Sequence, residues 1–360
     1  MKLLLIASSI LAAGVLVLVA SVVAASRALN VDSGPAAPST AHDTAAVASG
    51  TTPSFAGVKP DNAEELAKAH VPYAAELPPV PDGDVVKVHM VMKDKAVEIA
   101  PGVEYNVWAF DGATSAPGPI VHAREGQTVE MTLTNGGSIP HSIDFHAARI
   151  APNLAFRDVA PGESLTFRFK AGDPGVFMYH CGTKPVLAHI ANGMYGAIVV
   201  DPATPLPKAE REYVLVASEW YLNGSGIDEP ASLDLAKAHA MTPDWTSFNG
   251  YANQYVTHPL IADPGDLVRF YVVDAGPSLT TAFHVVGTVF NRVYPNGDMN
   301  PAHSLSGVQT VDVPAGGGAV FEVKIDGEGL YPFVSHAFAH VDLGQVGLLK
   351  VGNPPGSASH

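Results

Sequence analysis

The chain has 360 residues and a formal net charge of −15, and charged residues make up 15% of it. This length is enough for two hydrophobic cores, and the acidic balance argues against nucleic acid and anionic membrane surfaces as partners. The 34 Gly, the 30 Pro and the short β-branched apolar runs are typical of a turn-rich all-β protein.

The N-terminus carries an almost unbroken apolar run at residues 3–25, which closes in small residues. It is typical of an export signal and is also long enough for an uncleaved anchor, so we assign residues 1–26 to a signal peptide or membrane anchor. Both interpretations predict an exported protein, in the periplasm or on the outer face of the cell membrane. Residues 27–84 form a linker and N-terminal extension, with a flexible Ala/Ser/Thr/Pro-rich part and a short helix near residues 61–70.

The rest of the chain contains one pattern of turns and alternating strands twice. The matching pairs are residues 125–131 with 264–270, 160–169 with 314–323, and 174–180 with 328–336. We therefore predict an all-β fold of two tandem Greek-key β-sandwich domains. The first domain, the second domain and a tail are placed at residues 85–205, 206–352 and 353–360.

The single cysteine lies in Tyr179-His180-Cys181, and His189 and Met194 follow it. A thiolate, an imidazole and a weak axial thioether are three of the four ligands of a blue (type 1) copper site. His141 can supply the second imidazole from a returning strand. The sequence thus predicts a cupredoxin-type copper site in the first domain, because structural zinc and c-type haem both need more cysteines.

A second metal is predicted from strand alternation. Adjacent strand residues point to opposite faces, so His180 and Cys181 cannot easily ligate the same ion, and His141 and His146 separate in the same way. His146 and His180 then share a face, and His336 from the second copy is the natural third ligand. Three imidazoles with an open fourth position are typical of a catalytic metal centre.

The two copies differ at the copper ligands. In the repeat, His336 takes the place equivalent to His180, Ala337 follows it where the first copy has Cys181, and no Cys or Met comes after. We therefore expect only the first domain to hold blue copper. His340 lies four residues beyond His336, and its role is left open.

Five motifs together resemble the copper-containing, nitric-oxide-forming nitrite reductases, over about residues 85–352. They are Pro-His-Ser-Ile-Asp-Phe-His at 140–146, Tyr-His-Cys at 179–181, His-Ile-Ala-Asn-Gly-Met-Tyr-Gly at 189–196, Ala-Phe-His-Val-Val-Gly at 282–287 and Ser-His-Ala-Phe at 335–338. The resemblance implies one type 1 and one type 2 copper per subunit of a homotrimer, with His336 reaching the type 2 copper of a neighbouring subunit. It also implies that Asp144 and His284 handle protons. The implied ligands are His141, Cys181, His189 and Met194 for type 1 copper, and His146, His180 and His336 for type 2 copper.

The expected reaction is the one-electron reduction of nitrite to nitric oxide and water, which consumes two protons. A small redox protein, a cupredoxin or a cytochrome c, would deliver the electron at type 1 copper, from where it passes to type 2 copper. A multicopper oxidase of the laccase type would need several His-x-His pairs, and the sequence has none. A two-domain electron carrier or copper-storage protein would have lost type 2 ligands, and all three are present.

Overall fold

The computed structural model describes residues 53–110 and 116–355. The predicted signal or anchor and most of the flexible linker lie outside these residues. Within them, no helix has both the length and the apolar character needed to cross a bilayer. The helix predicted near residues 61–70 is present as α1, Ala63–Ala69.

The first sandwich is built from strands whose apolar side chains alternate. In β4, for example, Val129, Met131 and Leu133 are buried while the residues between them are partly exposed. The strands pair in the orders β2-β1-β4-β6 and β3-β8-β7-β5. Their bounds are β1 Val85–Ala100, β2 Val103–Ala109, β3 Val121–Arg124, β4 Thr128–Asn135, β5 Asp144–Phe145, β6 Ser164–Lys170, β7 Gly175–His180 and β8 Tyr195–Asp201.

The second sandwich contains two five-stranded sheets, ordered β10-β9-β12-β16-β14 and β11-β18-β17-β13-β15. Phe270, Phe283, Phe321 and Phe333 pack at its centre. The strands are β9 Arg211–Trp220, β10 Trp245–Phe248, β11 Leu260–Ala262, β12 Leu267–Gly276, β13 Thr281–Val285, β14 Arg292–Tyr294, β15 Val311–Val313, β16 Gly318–Lys324, β17 Gly329–Ser335 and β18 Val346–Val351. The two-sandwich, all-β prediction is confirmed.

Short helices fill the connections between the strands. They are α2 Pro152–Ala155, α3 Val186–Ala191, α4 Leu235–Ala240, α5 Gln254–Thr257 and α6 Phe338–Asp342, with 3₁₀ turns at Pro295–Gly297 and Pro301–His303. Helix α3 lies between β7 and β8 of the first sandwich, and α6 lies between β17 and β18 of the second. The two helices therefore occupy corresponding places in the repeat.

Strand β7 faces two different environments. Val176 and Met178 pack in a buried cluster with residues of the second sandwich, among them Tyr271. Tyr179 and Cys181 point the other way, into the core of the first sandwich. Successive residues of this strand therefore face the junction of the two sandwiches and the interior of one of them.

The strand registers align the two copies at their final hairpins. Gly196 on β8 pairs with Tyr179 on β7, and Gly347 on β18 pairs with Phe333 on β17. Each of these glycines is followed by the apolar residues of the last strand. Tyr179 and Phe333 are therefore equivalent positions.

This alignment corrects one prediction about the repeat. Val334, one residue after Phe333, is therefore the equivalent of His180, and Ser335 is the equivalent of Cys181. The prediction that His336 takes the place of His180 is wrong, because His336 lies two positions further along. A shift of two residues leaves every side chain on its original face, so the alternating pattern could not detect it.

Asp274 is a buried acid at the end of β12, 2% exposed. Its main-chain oxygen accepts a 2.7 Å hydrogen bond from the Gly316 amide, and the Asn135 oxygen accepts one of the same length from Gly162. Asp274 and Asn135 are thus equivalent positions, one an acid and the other its neutral amide.

We expect Asp274 to make stability depend on pH. Burial raises its pKa to about 8, helped by the nearby Glu219 and opposed by hydrogen bonds from Thr281. Because this pKa lies above that of the unfolded chain, the folded protein holds a proton that the unfolded chain releases, and stability falls as pH rises from about 4 to about 8. Asp274→Asn should lose less thermal stability than the parent between about pH 5 and about pH 8 in unfolding scans. Equal losses of thermal stability in the parent and the variant would show that Asp274 is not the source of the pH dependence.

Candidate metal centres

Three ligating atoms meet inside the first sandwich. Cys181 Sγ lies 3.2 Å from His189 Nδ1 and 4.0 Å from His141 Nδ1, and the two Nδ1 atoms are 3.1 Å apart. All three side chains are buried. Within the described part of the chain, no other three His, Cys, Asp or Glu side chains bring their ligating atoms within 4.8 Å of one another.

The donor set of this cluster fits copper. One thiol and two imidazole nitrogens are the equatorial ligands of a blue copper site. Burial lowers the pKa of His141 to about 4, with a smaller contribution from His189, and burial also lowers the pKa of His189. Both rings are therefore neutral at physiological pH, which is the form that binds a metal.

Met194 lies in the same core cluster as Cys181 and is fully buried. The Cys181 amide donates to the Met194 carbonyl at 3.1 Å, and the Met194 amide donates to the His189 carbonyl at 3.2 Å. These main-chain bonds tie strand β7, helix α3 and the start of β8 together. Met194, the predicted axial ligand, is thus held by main-chain hydrogen bonds to both Cys181 and His189.

Two supporting residues of this site were missed by sequence reasoning. The Ser142 amide donates to Cys181 Sγ at 3.4 Å, a contact that stabilises a thiolate. The Trp108 ring lies 4.7 Å from the His189 ring and 5.5 Å from the His141 ring, between centroids. Ser142 could have been found from its place beside a ligand, whereas no motif marks Trp108.

A second pair of imidazoles lies at the end of β7, beside Gly316 of the second sandwich. The Nε2 atoms of His146 and His180 are 3.1 Å apart. Each Nδ1 donates to a carbonyl, that of Gly316 at 3.0 Å for His146 and that of Cys181 at 2.9 Å for His180. Since a carbonyl can only accept, both Nδ1 atoms carry the proton and both Nε2 lone pairs are free for a shared metal.

The electrostatics of the pair also suit a metal ion. Burial lowers the pKa of His146 and the neighbouring His180 lowers it further, while Asp144 and the bond to Gly316 act in the opposite direction. Asp144 stands opposite His180 in the pairing of β5 with β7. The predicted proton-handling carboxylate is therefore beside the pair.

His336 and His284 lie together on the second sandwich. Their ring centroids are 5.0 Å apart, and both line an apolar cavity of about 210 Å³ with Val334 and Phe338. His284 Nδ1 donates to the Gln309 carbonyl at 2.5 Å. The structure does not bring His336 to the His146 and His180 pair, and no third His, Cys, Asp or Glu among the described residues joins that pair.

Comparison with known proteins gives consistent matches. A family model described as Multicopper oxidase matches residues 91–205. The copper-containing nitrite reductase of Neisseria gonorrhoeae is 41% identical over 288 residues, covering 78% of this chain and 72% of that protein. That of Alcaligenes xylosoxydans xylosoxydans is 30% identical over 299 residues, covering 76% and 87%. The solved copper nitrite reductase from Nitrosomonas europaea has a TM-score of 0.68 and 37% identity, covering 75% of this chain and 94% of that one.

Proposed function

The chain belongs to the copper-containing nitrite reductases, and on that premise we propose that it reduces nitrite by one electron to nitric oxide and water. The observation that carries the proposal is that two ligand sets meet at the end of β7. Cys181 joins the His-Cys-His cluster, and His180, the next residue, joins the imidazole pair. Bound copper supplies a one-electron redox couple at the first set and a Lewis acid for nitrite at the second.

The protein holds each ligand set in the form that copper needs. His141 and His189 are neutral because they are buried, and Met194, in the same core cluster as Cys181, would offer its thioether to the copper. The peptide bond between His180 and Cys181 gives a direct covalent path from one ligand set to the other. A small redox protein, a cupredoxin or a cytochrome c, is the proposed electron donor.

We assign the third type 2 ligand to His336 of a neighbouring subunit in a homotrimer. Two features support this: the imidazole pair is incomplete within the described chain, and His336 is exposed on the other sandwich. Phe338 beside it is 59% exposed, which suits a residue that packs against another subunit. In a closed ring, the face of one subunit that carries His336 would meet the face of the next that carries His146 and His180, and every site would be complete.

Asp144 and His284 are the proposed proton donors. Turnover consumes two protons, and an acid near each side of bound nitrite can deliver them. Asp144 acts on the face that carries His146 and His180, and His284 acts beside His336. In the proposed trimer the two groups face each other from adjacent subunits.

We expect His284→Ala to keep the blue colour and to lose turnover by roughly 100-fold or more, the usual range for a missing general acid. Its ring lies in the second sandwich, away from the cysteine-containing cluster. Visible absorption and the rate of nitric oxide release measure the two effects. His89→Ala is the matched control, since His89 is exposed and bonds to Thr134. Parent-level turnover in His284→Ala would contradict the assigned role.

Nitric oxide release from nitrite, measured anaerobically with a reduced mediator, tests the proposed reaction itself. Sustained release that disappears when type 2 copper is removed supports it. A blue protein that binds both coppers and forms no product would favour an electron carrier. A multicopper oxidase is the weaker alternative, because Gly182 follows Cys181 and the sequence has no His-x-His.

We further propose that the protein acts outside the cytoplasm, with residues 3–25 as an export signal or tether. The apolar run and the Ala/Ser/Thr/Pro-rich linker after it support this location. Mass spectrometry of the mature N-terminus distinguishes the two: a start after residue 26 means a cleaved signal, and an intact Met1 in the membrane fraction means an anchor.

A further inference from the structure

The backbone around Cys181 forms a recognisable frame. Its amide donates to the Met194 carbonyl, and the Met194 amide donates to the His189 carbonyl. Its Sγ accepts from the Ser142 amide at 3.4 Å. These three bonds fix the thiol, one imidazole and the axial thioether relative to one another.

The same three bonds occur in the second sandwich. The Ser335 amide donates to the Gln345 carbonyl at 3.4 Å, and the Gln345 amide donates to the His340 carbonyl at 2.8 Å. Ser335 Oγ accepts from the Ala282 amide at 3.2 Å. Ser335, His340 and Gln345 thus correspond to the thiol, the imidazole and the axial ligand of the first sandwich.

The fourth ligand position is identified by strand pairing. His141 and Val159 exchange main-chain hydrogen bonds of 3.1 and 2.7 Å. In the second sandwich, Thr281 pairs with Val313. Val159 and Val313 each lie three residues before equivalent glycines, at 162 and 316. Thr281 therefore occupies the place of His141.

Three of these four polar side chains are buried, and the fourth, His340, is half-buried. Ser335, Thr281 and Gln345 are 0%, 1% and 2% exposed. Thr281 Oγ1 donates to Gln345 Oε1 at 3.3 Å, and the buried Nδ1 of His340 has no hydrogen-bond partner among residues 53–110 and 116–355. Burying such groups is costly, and an apolar set would fill this core at lower cost. Their positions match those of the copper ligands in the first sandwich, which accounts for polar residues at these buried places.

We propose that Thr281, Ser335, His340 and Gln345 are a second type 1 copper site that has lost its thiol and one imidazole. The second sandwich keeps the frame and one imidazole, and it will bind copper once the two missing ligands are restored. Gln345 can stay, because an amide oxygen serves as the axial ligand in some blue copper sites. The proposal does not depend on the nitrite reaction.

One difference lies in the loop. Four residues separate Ser335 from His340, whereas seven separate Cys181 from His189. The bonds at both ends of the loop are the same in the two sandwiches. The connection is shorter because α6 begins three residues after Ser335, whereas α3 begins five residues after Cys181, and because α6 is one residue shorter than α3.

The test is the double variant T281H/S335C in a Cys181→Ser background. The native thiol is absent there, so any thiolate–copper(II) absorption must come from the second sandwich. We expect an intense visible band on adding copper, together with the electron paramagnetic resonance signal of a thiolate site. A protein with the circular dichroism and thermal midpoint of the background but no such band would overturn the proposal.

A matched control removes the imidazole that the second sandwich retains. T281H/S335C/H340A in the same background keeps the thiol, and we expect its band to be lost or much weaker. A band of equal strength in this control would also overturn the proposal. If T281H/S335C does not fold, the nearly isosteric S335C in the same background is titrated with Co(II). A thiolate–Co(II) absorption supports the site, and its absence in folded protein contradicts it.

Discussion

Replacing Cys181 by Ser is expected to abolish the blue colour and to lower nitrite turnover by more than about 100-fold. Loss of a supporting residue alone typically costs 10- to 100-fold at a metal site, so loss of the sole thiolate should cost more. The change is nearly isosteric, and the Ser142 amide can still donate to the new hydroxyl. Visible absorption measures the thiolate–copper bond, and nitric oxide release with a reduced mediator measures turnover.

Two further results make this experiment decisive. The variant should still bind type 2 copper, since His146 and His180 keep their bonds to Gly316 and Cys181 carbonyl oxygens. Ser142→Ala serves as a control: it keeps the amide contact to sulfur and should retain the colour, with turnover changed by no more than about 10-fold. Parent-level turnover in Cys181→Ser would mean that electrons reach the second site by another route.

Subunit mixing is expected to restore activity to two inactive variants. His146→Ala and His336→Ala should each keep blue copper, lose type 2 copper and lose turnover, because each removes one ligand of the same centre. When the two are co-expressed in equal amounts, a site is intact if both of its contributing subunits carry the unmutated ligand. Random mixing in a ring of this kind gives about a quarter of parental activity.

The control for subunit mixing combines His146→Ala with His180→Ala. Both changes fall on the same half of the centre, so no arrangement of subunits rebuilds it, and activity should stay absent. Differently tagged subunits, purified in sequence, verify that the mixed trimers exist. Mixed His146→Ala and His336→Ala trimers without activity would place the third ligand elsewhere.

Much of the site could be predicted because period-two alternation is simple and local. It separated His180 from Cys181 and grouped His146 with His180, and the structure has this arrangement. It could not detect the two-residue shift that misplaced His336, since such a shift preserves every face. Tertiary contacts such as that between Trp108 and the ligand rings leave no local signal in the chain.

The hydrogen bond from His146 to the Gly316 carbonyl has a consequence for how such an enzyme can arise. Gly316 belongs to the second sandwich, yet it decides which nitrogen of His146 carries the proton. A single copper domain could evolve every ligand of the imidazole pair and still lack this control of tautomer. The second sandwich is therefore more than a repeat of the first, because it sets the proton position on one of the first sandwich's ligands.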